Sequence, residues 1–203
     1  MAFGDASITP HPNFCPFSTK SSSSSLSECP VTGNQKKSKL ALRGTLEPLT
    51  EQDHHLSTLL SQLQVIPTHR TDPLDISFNW NDALSGATET GDLPYFIVAF
   101  RSKRKSDADT FALMEADRLA HEEAKSKGGL LSYWYTTLDD QRQCLAMCVW
   151  KSRDWAVLAT DGPLHAQAMR LTSRMYEHYT LERYWLHIRK TEDGSTKVEI
   201  ETI

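Results

Sequence analysis

The sequence predicts an α+β fold of the ferredoxin-like βαββαβ type, closed by a C-terminal β-hairpin. Two observations lead to this class. Apolar segments after residue 94 alternate as strand, helix, strand, strand, helix and strand, and an Asp-Gly turn then leads to a last strand. The strands are apolar on both faces, although two helices can cover only one face of a sheet.

The N-terminal part divides into a tail and an extension. Residues 1–39 are rich in Ser, Pro, Thr, Lys and Gly without hydrophobic periodicity, which is typical of a disordered tail. Residues 40–94 form the extension. Thr50 fits a helix N-cap with Asp53 three positions later, and spaced leucines follow, so the sequence predicts a helix over 51–65. The rest of the extension is expected to be a long connection with turn residues.

Residues 95–203 carry the main domain. The segment YFIVAFR at 95–101 is rich in β-branched and aromatic residues, which predicts a buried strand. Ser106 fits the N-cap of a helix that runs to about Lys127. Further strands are expected at 130–138, 144–152, 181–190 and 196–203, and further helices after Ser152 and from Pro163.

Charged residues mark the outer side of the first long helix. Asp117 and His121 are four residues apart and could share a metal ion. Arg118, Glu122 and Lys125 lie around them in the sequence, so a solvated face of ion pairs is the interpretation we prefer.

The apolar strands bear on the oligomeric state. An uncovered apolar sheet face on a small domain is an interaction surface, and a second copy of the same sheet is its simplest cover. The sequence therefore predicts a homodimer.

Composition narrows the class of protein. The net charge of −4 gives no basic excess for nucleic-acid binding, and no run approaches the roughly 18 apolar residues that span a bilayer. The start MAFGDASITPHPNF lacks the pattern of a secretory signal, and the four cysteines have no regular spacing. We expect a cytoplasmic protein with reduced thiols, with a mitochondrial location as the alternative.

The run GGLLSYWYTTLDDQRQCLAMCVWKSRDWAVLATDGPLHAQAM resembles the antibiotic-biosynthesis-monooxygenase-like branch of the dimeric α+β barrel superfamily. The resemblance covers roughly residues 95–190, and the extended N-terminus is similar to that of uncharacterised fungal proteins. Its features are a helix-end glycine, a strand tyrosine, an acidic turn, a Trp-x-Ser strand end and a helix histidine: Gly129, Tyr133, Asp139, Asp140, Trp150, Ser152 and His165.

The resemblance implies a dimer whose ligand lies between each sheet and its own helices. It implies little about activity, because the superfamily includes quinone-forming oxygenases, haem-degrading enzymes, isomerases, cyclases and proteins without known catalysis.

Alternating strand residues should line such a cavity. One set of alternating positions joins aromatic rings to a few polar groups, as small-molecule sites do: Tyr133, Tyr135, Cys148, Trp150, Trp185 and His187. The alternative is that this face meets water or a partner subunit, because alternation gives the period and not the side.

His165 is the first candidate for a working residue. It lies in the first turn of the helix that begins at Pro163, where the helix dipole disfavours a positive charge. A neutral imidazole can act as a base or a metal ligand. The alternative is a helix-start histidine that is bonded to the backbone.

Two Cys-Pro pairs in the tail, at Cys15 and Cys29, have the form of short haem-regulatory motifs. They support an alternative in which haem is the cofactor, His165 is the axial ligand and the two thiolates act as a sensor.

The leading hypothesis is a cofactor-independent enzyme of secondary metabolism that acts on a hydrophobic, aromatic or polyketide-like molecule. His165 or His187 would move protons together with Tyr133, in an oxygenation, a cyclisation or an isomerisation. A haem-binding protein and a non-catalytic dimeric module are the alternatives.

Overall fold

The structure is a computed structural model that describes residues 46–91 and 93–203. The predicted tail at 1–39, with Cys15 and Cys29, lies outside the described residues.

Five antiparallel strands form one sheet: β1 Tyr95–Arg104, β2 Leu130–Tyr135, β3 Gln143–Trp150, β4 Tyr176–Lys190 and β5 Thr196–Thr202. Their order in the sheet is β2-β3-β1-β4-β5, so β1 lies in the centre and the last strand extends the sheet beyond β4. This arrangement confirms the predicted α+β class and its ferredoxin-like order.

Three helices of the main domain lie on one face of this sheet: α4 Thr110–Lys127, α5 Arg153–Thr160 and α6 Pro163–Met175. Asp109 caps α4 instead of Ser106, since its side chain accepts a hydrogen bond from the Ala112 N–H. α6 follows Gly162 without a side-chain cap of its own, and Glu123 of α4 accepts the His165 N–H at 2.9 Å instead. This bond fastens the start of α6 to α4.

The extension contains more regular secondary structure than the long connection that the sequence predicted. It contains α1 Glu51–Leu60, a 3-10 turn Pro67–His69, α2 Leu74–Ser77 and α3 Trp80–Ala83. The capping box of Thr50 and Asp53 is present, but α1 ends at Leu60, five residues before the predicted end.

The extension covers the sheet face opposite α4, α5 and α6, which we call the extension-side face. Strand residues of this face are fully buried, with Ile97, Met147 and Leu186 at 0% exposure. The residues that cover them are apolar: Leu56, Leu60, Leu63, Leu74, Phe78, Trp80, Ala83, Leu84 and Ala87. The chain therefore supplies its own cover for the second apolar face.

This packing removes the reason for expecting a homodimer through that face. A second copy would have to use another surface, because the apolar side chains that would attract it are buried under the chain's own extension. The homodimer itself stays a prediction.

A buried carboxylate joins the extension to the sheet. Asp53 is 3% exposed and accepts hydrogen bonds from the Thr50 N–H at 2.7 Å, the Tyr95 hydroxyl at 3.1 Å and Lys151 Nζ at 2.9 Å. Burial acts to raise the pKa of Asp53, but the bonds from Thr50 and Lys151 outweigh it, and the net shift is downward. The ionised carboxylate therefore ties α1 to β1 and to the end of β3.

The opposite face, which we call the helix-side face, is only partly covered. A smaller core of Phe96, Ala124, Trp150, Ala156 and Ala159 closes one end of it. α6 buries none of its residues fully, and Tyr179 and Leu181 of β4 remain 42% and 38% exposed. No helix within residues 46–91 and 93–203 is long and apolar enough to cross a membrane.

Candidate functional site

The strand register places the predicted pocket residues on the helix-side face. Tyr133 of β2 and Val98 of β1 both pair with Cys148 of β3, and Trp185 of β4 pairs with Phe96. The sequence left open which face these alternating positions share. Side chains of α4 contact Tyr133, which identifies the face as the one beneath the helices.

A carboxylate and a phenol meet in the space between α4 and β2. The Tyr133 hydroxyl donates a hydrogen bond of 2.7 Å to Asp117 Oδ1. The His121 ring, one helical turn further along α4, lies edge-on to the Tyr133 ring with centroids 4.8 Å apart. Tyr135 follows on the strand at 5.6 Å from Tyr133. We call this space the helix-side cleft.

Asp117 lies at the surface, where neighbouring side chains cover part of its carboxylate. This partial burial raises the pKa of Asp117 above its ordinary value of 3.8, whereas the bond from Tyr133 and the charge of Arg104 oppose the rise. The side chain nevertheless keeps access to solvent, as expected at the mouth of a cleft. A partly desolvated, accessible carboxylate is a stronger base than one in bulk water.

The neighbours of Asp117 stay in their neutral forms. Burial and the charge of Asp117 raise the pKa of Tyr133, so its hydroxyl remains a donor. Burial and the charge of Lys125 lower the pKa of His121, so its imidazole is neutral at pH 7. The cleft thus offers one anionic base between uncharged aromatic groups.

The ion-pair face expected for α4 is present at Arg118 and Glu122. Arg118 binds Glu115 and Glu122 on the outer side, but Asp117 and His121 turn towards β2. The buried stripe of α4 consists of Leu113, Ala116, Ala120 and Ala124, and Asp117 and His121 flank it.

Both cysteines within the described residues, Cys144 and Cys148, line the helix-side cleft as protonated thiols. Burial and the charge of Asp117 raise the pKa of Cys148 to about 12. Burial also raises the pKa of Cys144, which donates to the Thr136 carbonyl at 3.3 Å. Neither thiol is a nucleophile in this state.

His165 lies where α6 meets α4. Burial lowers its pKa, Lys127 acts in the same direction, and Glu123 opposes them. A neutral imidazole is therefore present at this position. The His165 N–H donates to Glu123, and within the described part of the chain no hydrogen bond joins His165 to Tyr133.

The other residues that the sequence predicted for the site lie away from the hydrogen bond between Tyr133 and Asp117. His187 Nε2 is 3.1 Å from Glu201 Oε2 at the β4–β5 edge. Trp185 packs on Phe96 with ring centroids 5.2 Å apart, and Trp150 is buried in the smaller core. The structure brings together Tyr133, Tyr135 and Cys148, adds Asp117 and His121, and leaves both predicted histidines apart from them.

Sequence reasoning also missed Arg104, the last residue of β1. Arg104 lies opposite Tyr176 in the strand register, and its charge acts against the rise that burial causes in the pKa values of Asp117, Cys144 and Tyr176. A cation at the end of a strand carries no sequence signal that separates it from a solvated residue.

A cavity of about 280 Å³ lies at the strand end that carries Cys144, and it is lined by Arg70, Arg101, Lys103 and His178. Two of its cations are already paired, Arg101 with Glu182 and Lys103 with Glu177. We place the candidate site in the helix-side cleft, where a base has no cationic partner at hydrogen-bond distance among the described residues. Within that part of the chain, no group of three or more His, Cys, Asp or Glu side chains could hold a metal ion.

Comparison with known proteins gives a family and a set of similar structures. The family described as PB2B2.08-like matches residues 35–202. The UPF0643 protein PB2B2.08 of Schizosaccharomyces pombe is 35% identical over 109 residues, which are 51% of this chain and 49% of that protein. The match therefore spans about half the length of this relative.

Some of the similar solved structures are named as antibiotic biosynthesis monooxygenases. A putative antibiotic biosynthesis monooxygenase from Nitrosomonas europaea is 16% identical, with a TM-score of 0.41 over 47% of this chain and 93% of that chain. SnoaB, a cofactor-independent oxygenase from Streptomyces nogalater, is 12% identical, with a TM-score of 0.38 over 49% and 97% of the two chains.

Proposed function

We propose that this chain, which belongs to the PB2B2.08-like family, is an enzyme that removes a proton from a hydrophobic aromatic molecule bound in the helix-side cleft. One observation carries the proposal. The carboxylate of Asp117 has a raised pKa, accepts a bond from Tyr133 and is exposed to solvent beside the rings of His121, Tyr133 and Tyr135.

Asp117 acts as the base in this proposal. The bond from Tyr133 to Oδ1 fixes the orientation of the carboxylate, and partial desolvation makes it more basic. A proton passes from an acidic C–H or O–H group of the substrate to Asp117. The electron pair stays on the substrate, which becomes a carbanion, an enolate or a phenolate.

The rings around Asp117 hold the substrate. His121 and Tyr135 lie on either side of Tyr133, and aromatic faces of this kind stack on planar ligands. Because Cys144 and Cys148 remain protonated, they line the cleft without competing for the proton.

The substrate anion has two chemical fates, which are rearrangement without O₂ (isomerisation or cyclisation) and reaction with O₂. Return of the proton at another atom gives an isomerisation, and attack within the molecule gives a cyclisation. Reaction with O₂ gives an oxygenation, for example anthrone and O₂ to anthraquinone and water. None of these steps requires an organic cofactor, and the shared deprotonation is the step assigned to Asp117.

Haem remains the alternative cofactor, with His165 as the axial ligand and Cys15 and Cys29 as the sensor. A hemin titration of the wild type, His165→Ala and the Cys15→Ala/Cys29→Ala double variant tests it. The expected result is no saturable Soret shift in any of them. A shift that His165→Ala abolishes would replace this proposal with haem chemistry.

Anthrone is a suitable probe of the deprotonation, because its methylene protons are acidic and it is planar. Without O₂, the protein should accelerate exchange of these protons with D₂O, as followed by NMR. Asp117→Asn should lose about 10²- to 10⁴-fold of this acceleration, the range for a general base. The matched control is Glu122→Gln, which removes a carboxylate from the outer side of the same helix.

O₂ uptake in air then separates the two fates. Exchange with O₂ uptake above the protein-free rate supports an oxygenase, and exchange without it supports an isomerase or a cyclase. Equal exchange by the wild type, Asp117→Asn and Glu122→Gln would refute the proposed role of Asp117.

A further inference from the structure

Arg104 is held in place by its backbone. Its N–H donates to the Arg142 carbonyl at 3.0 Å, and its own carbonyl accepts from Arg142 Nε at 2.9 Å. Tyr176 lies opposite it in the register between β1 and β4. The backbone at the end of β1 is therefore held by these hydrogen bonds.

The Arg104 side chain carries an unpaired polar group. Its Nε atom is buried and has no hydrogen-bond partner among the described residues. Buried N–H groups are nearly always paired in folded proteins, and a charged one is especially unfavourable to leave unpaired. Such a group calls for a partner, which is a ligand atom or an ordered water molecule.

The position of Arg104 points to the cleft. Phe100 and Ser102 lie on the helix-side face, and the register of β1 with β4 shifts between Lys103 and Arg104, so that Arg104 lies opposite Tyr176. The Tyr176 ring contacts Tyr179, and Tyr179 contacts Phe100 of the helix-side face. The effect of its charge on Asp117 and Cys144 agrees with this placement. The cation therefore faces the space that contains the proposed base.

We infer that Arg104 binds an anionic or carbonyl oxygen of the ligand, so that the substrate class is an aromatic compound with a phenol, keto or carboxylate oxygen. The inference rests on the proposed function. Deprotonation by Asp117 leaves negative charge on the substrate, and a fixed guanidinium that meets this charge lowers the energy of the anion. The Tyr176 hydroxyl lies beside the Arg104 guanidinium. Burial raises the pKa of this hydroxyl, so it stays protonated and adds an uncharged donor to the charged one.

The test compares two ligands of the same shape. Calorimetric titration of the full chain with 2-naphthoate and with the neutral 2-naphthamide measures a preference for the anion. The wild type should bind 2-naphthoate about tenfold more tightly, as expected for one charge-assisted bond. Arg104→Gln should abolish this preference, and Arg104→Lys should retain part of it because it keeps the charge.

Arg189→Gln is the matched control. Arg189 is also a strand arginine, but its side chain is 59% exposed and pairs with Glu199. This variant should keep the preference of the wild type. A thermal melt of each variant checks that the chain is folded.

Each result has one meaning. Equal binding of the two compounds, unchanged in Arg104→Gln, would overturn the inference and leave the proposed function intact, with ordered water as the partner of Nε. No saturable binding of either compound to the wild type would overturn the inference together with the proposed function.

Discussion

The two faces of the sheet differ although the same strands build both. On the extension-side face, Ile97 and Met147 are fully buried under the chain's own helices. One residue further along the same strands, Val98 and Cys148 lie on the helix-side face and keep partial exposure. The chain buries the centre of one face under its own extension and leaves side chains of the other face partly exposed.

This difference assigns the stability of the fold mainly to one face and the proposed chemistry to the other. The closed face holds the larger core, because side chains from both layers interdigitate there without water. The open face carries Asp117, Tyr133 and Arg104, whose polar groups would be unfavourable in a closed core. Substitutions on the two faces should therefore change different measured quantities.

The largest effect on stability is expected on the closed face. Leu60→Ala removes a side chain that is 0% exposed in the centre of the extension. It should lower the free energy of unfolding by about 3 to 4 kcal/mol, through lost burial and the cavity left behind. Urea unfolding measures this loss. Binding of 2-naphthamide by the remaining folded protein should not change, and a matching loss of affinity would contradict the separation of the faces.

Asp53→Asn tests how the extension is fastened to the sheet. It leaves Lys151 without its carboxylate, and Lys151 is itself 19% exposed, so the loss should be about 2 to 3 kcal/mol. The folded pKa of Asp53 lies below 3.8, so its stabilising contribution is complete above pH 3.8 and is lost as the pH falls through the folded value. Urea unfolding at pH 7 and near pH 3 should show a difference between wild type and variant that shrinks in acid. A difference independent of pH would contradict this account.

The smallest effect is expected for Tyr133→Phe on the open face. The variant keeps the ring and removes the hydroxyl that orients Asp117, so anthrone exchange should slow about tenfold, equivalent to one hydrogen bond. The unfolding free energy should change by less than about 1 kcal/mol, because Tyr133 is only partly buried. A large loss of stability with unchanged exchange would place Tyr133 in the core instead of the site.

Hydrophobic patterning predicted the fold because the period of a strand and the caps of a helix are local. The capping box at Thr50 and the strand at 95–101 could be identified from adjacent residues. The cover of the extension-side face could not, because it depends on contacts such as Phe78 with Trp134, which are far apart in the sequence.

The site was only partly predictable for the same reason. Tyr133, Tyr135 and Cys148 followed from alternation, whereas Asp117 depends on the rotation of α4 about its own axis. From the sequence alone, a charged residue beside a stripe of alanines is predicted to be solvated, because the residue that it contacts on the facing strand is not known. The histidines were favoured for their chemistry, and the structure bonds His165 to Glu123 and pairs His187 with Glu201.

Methyl NMR of the full chain during titration with 2-naphthamide tests the central claim most directly, because each face carries its own methyl groups. The account predicts saturable shift changes at Val98 and Ala146, on the helix-side face, with Ile97 and Met147 unchanged beyond small effects. Larger changes at Ile97 and Met147 would place the ligand under the extension and contradict the assignment of chemistry to the open face.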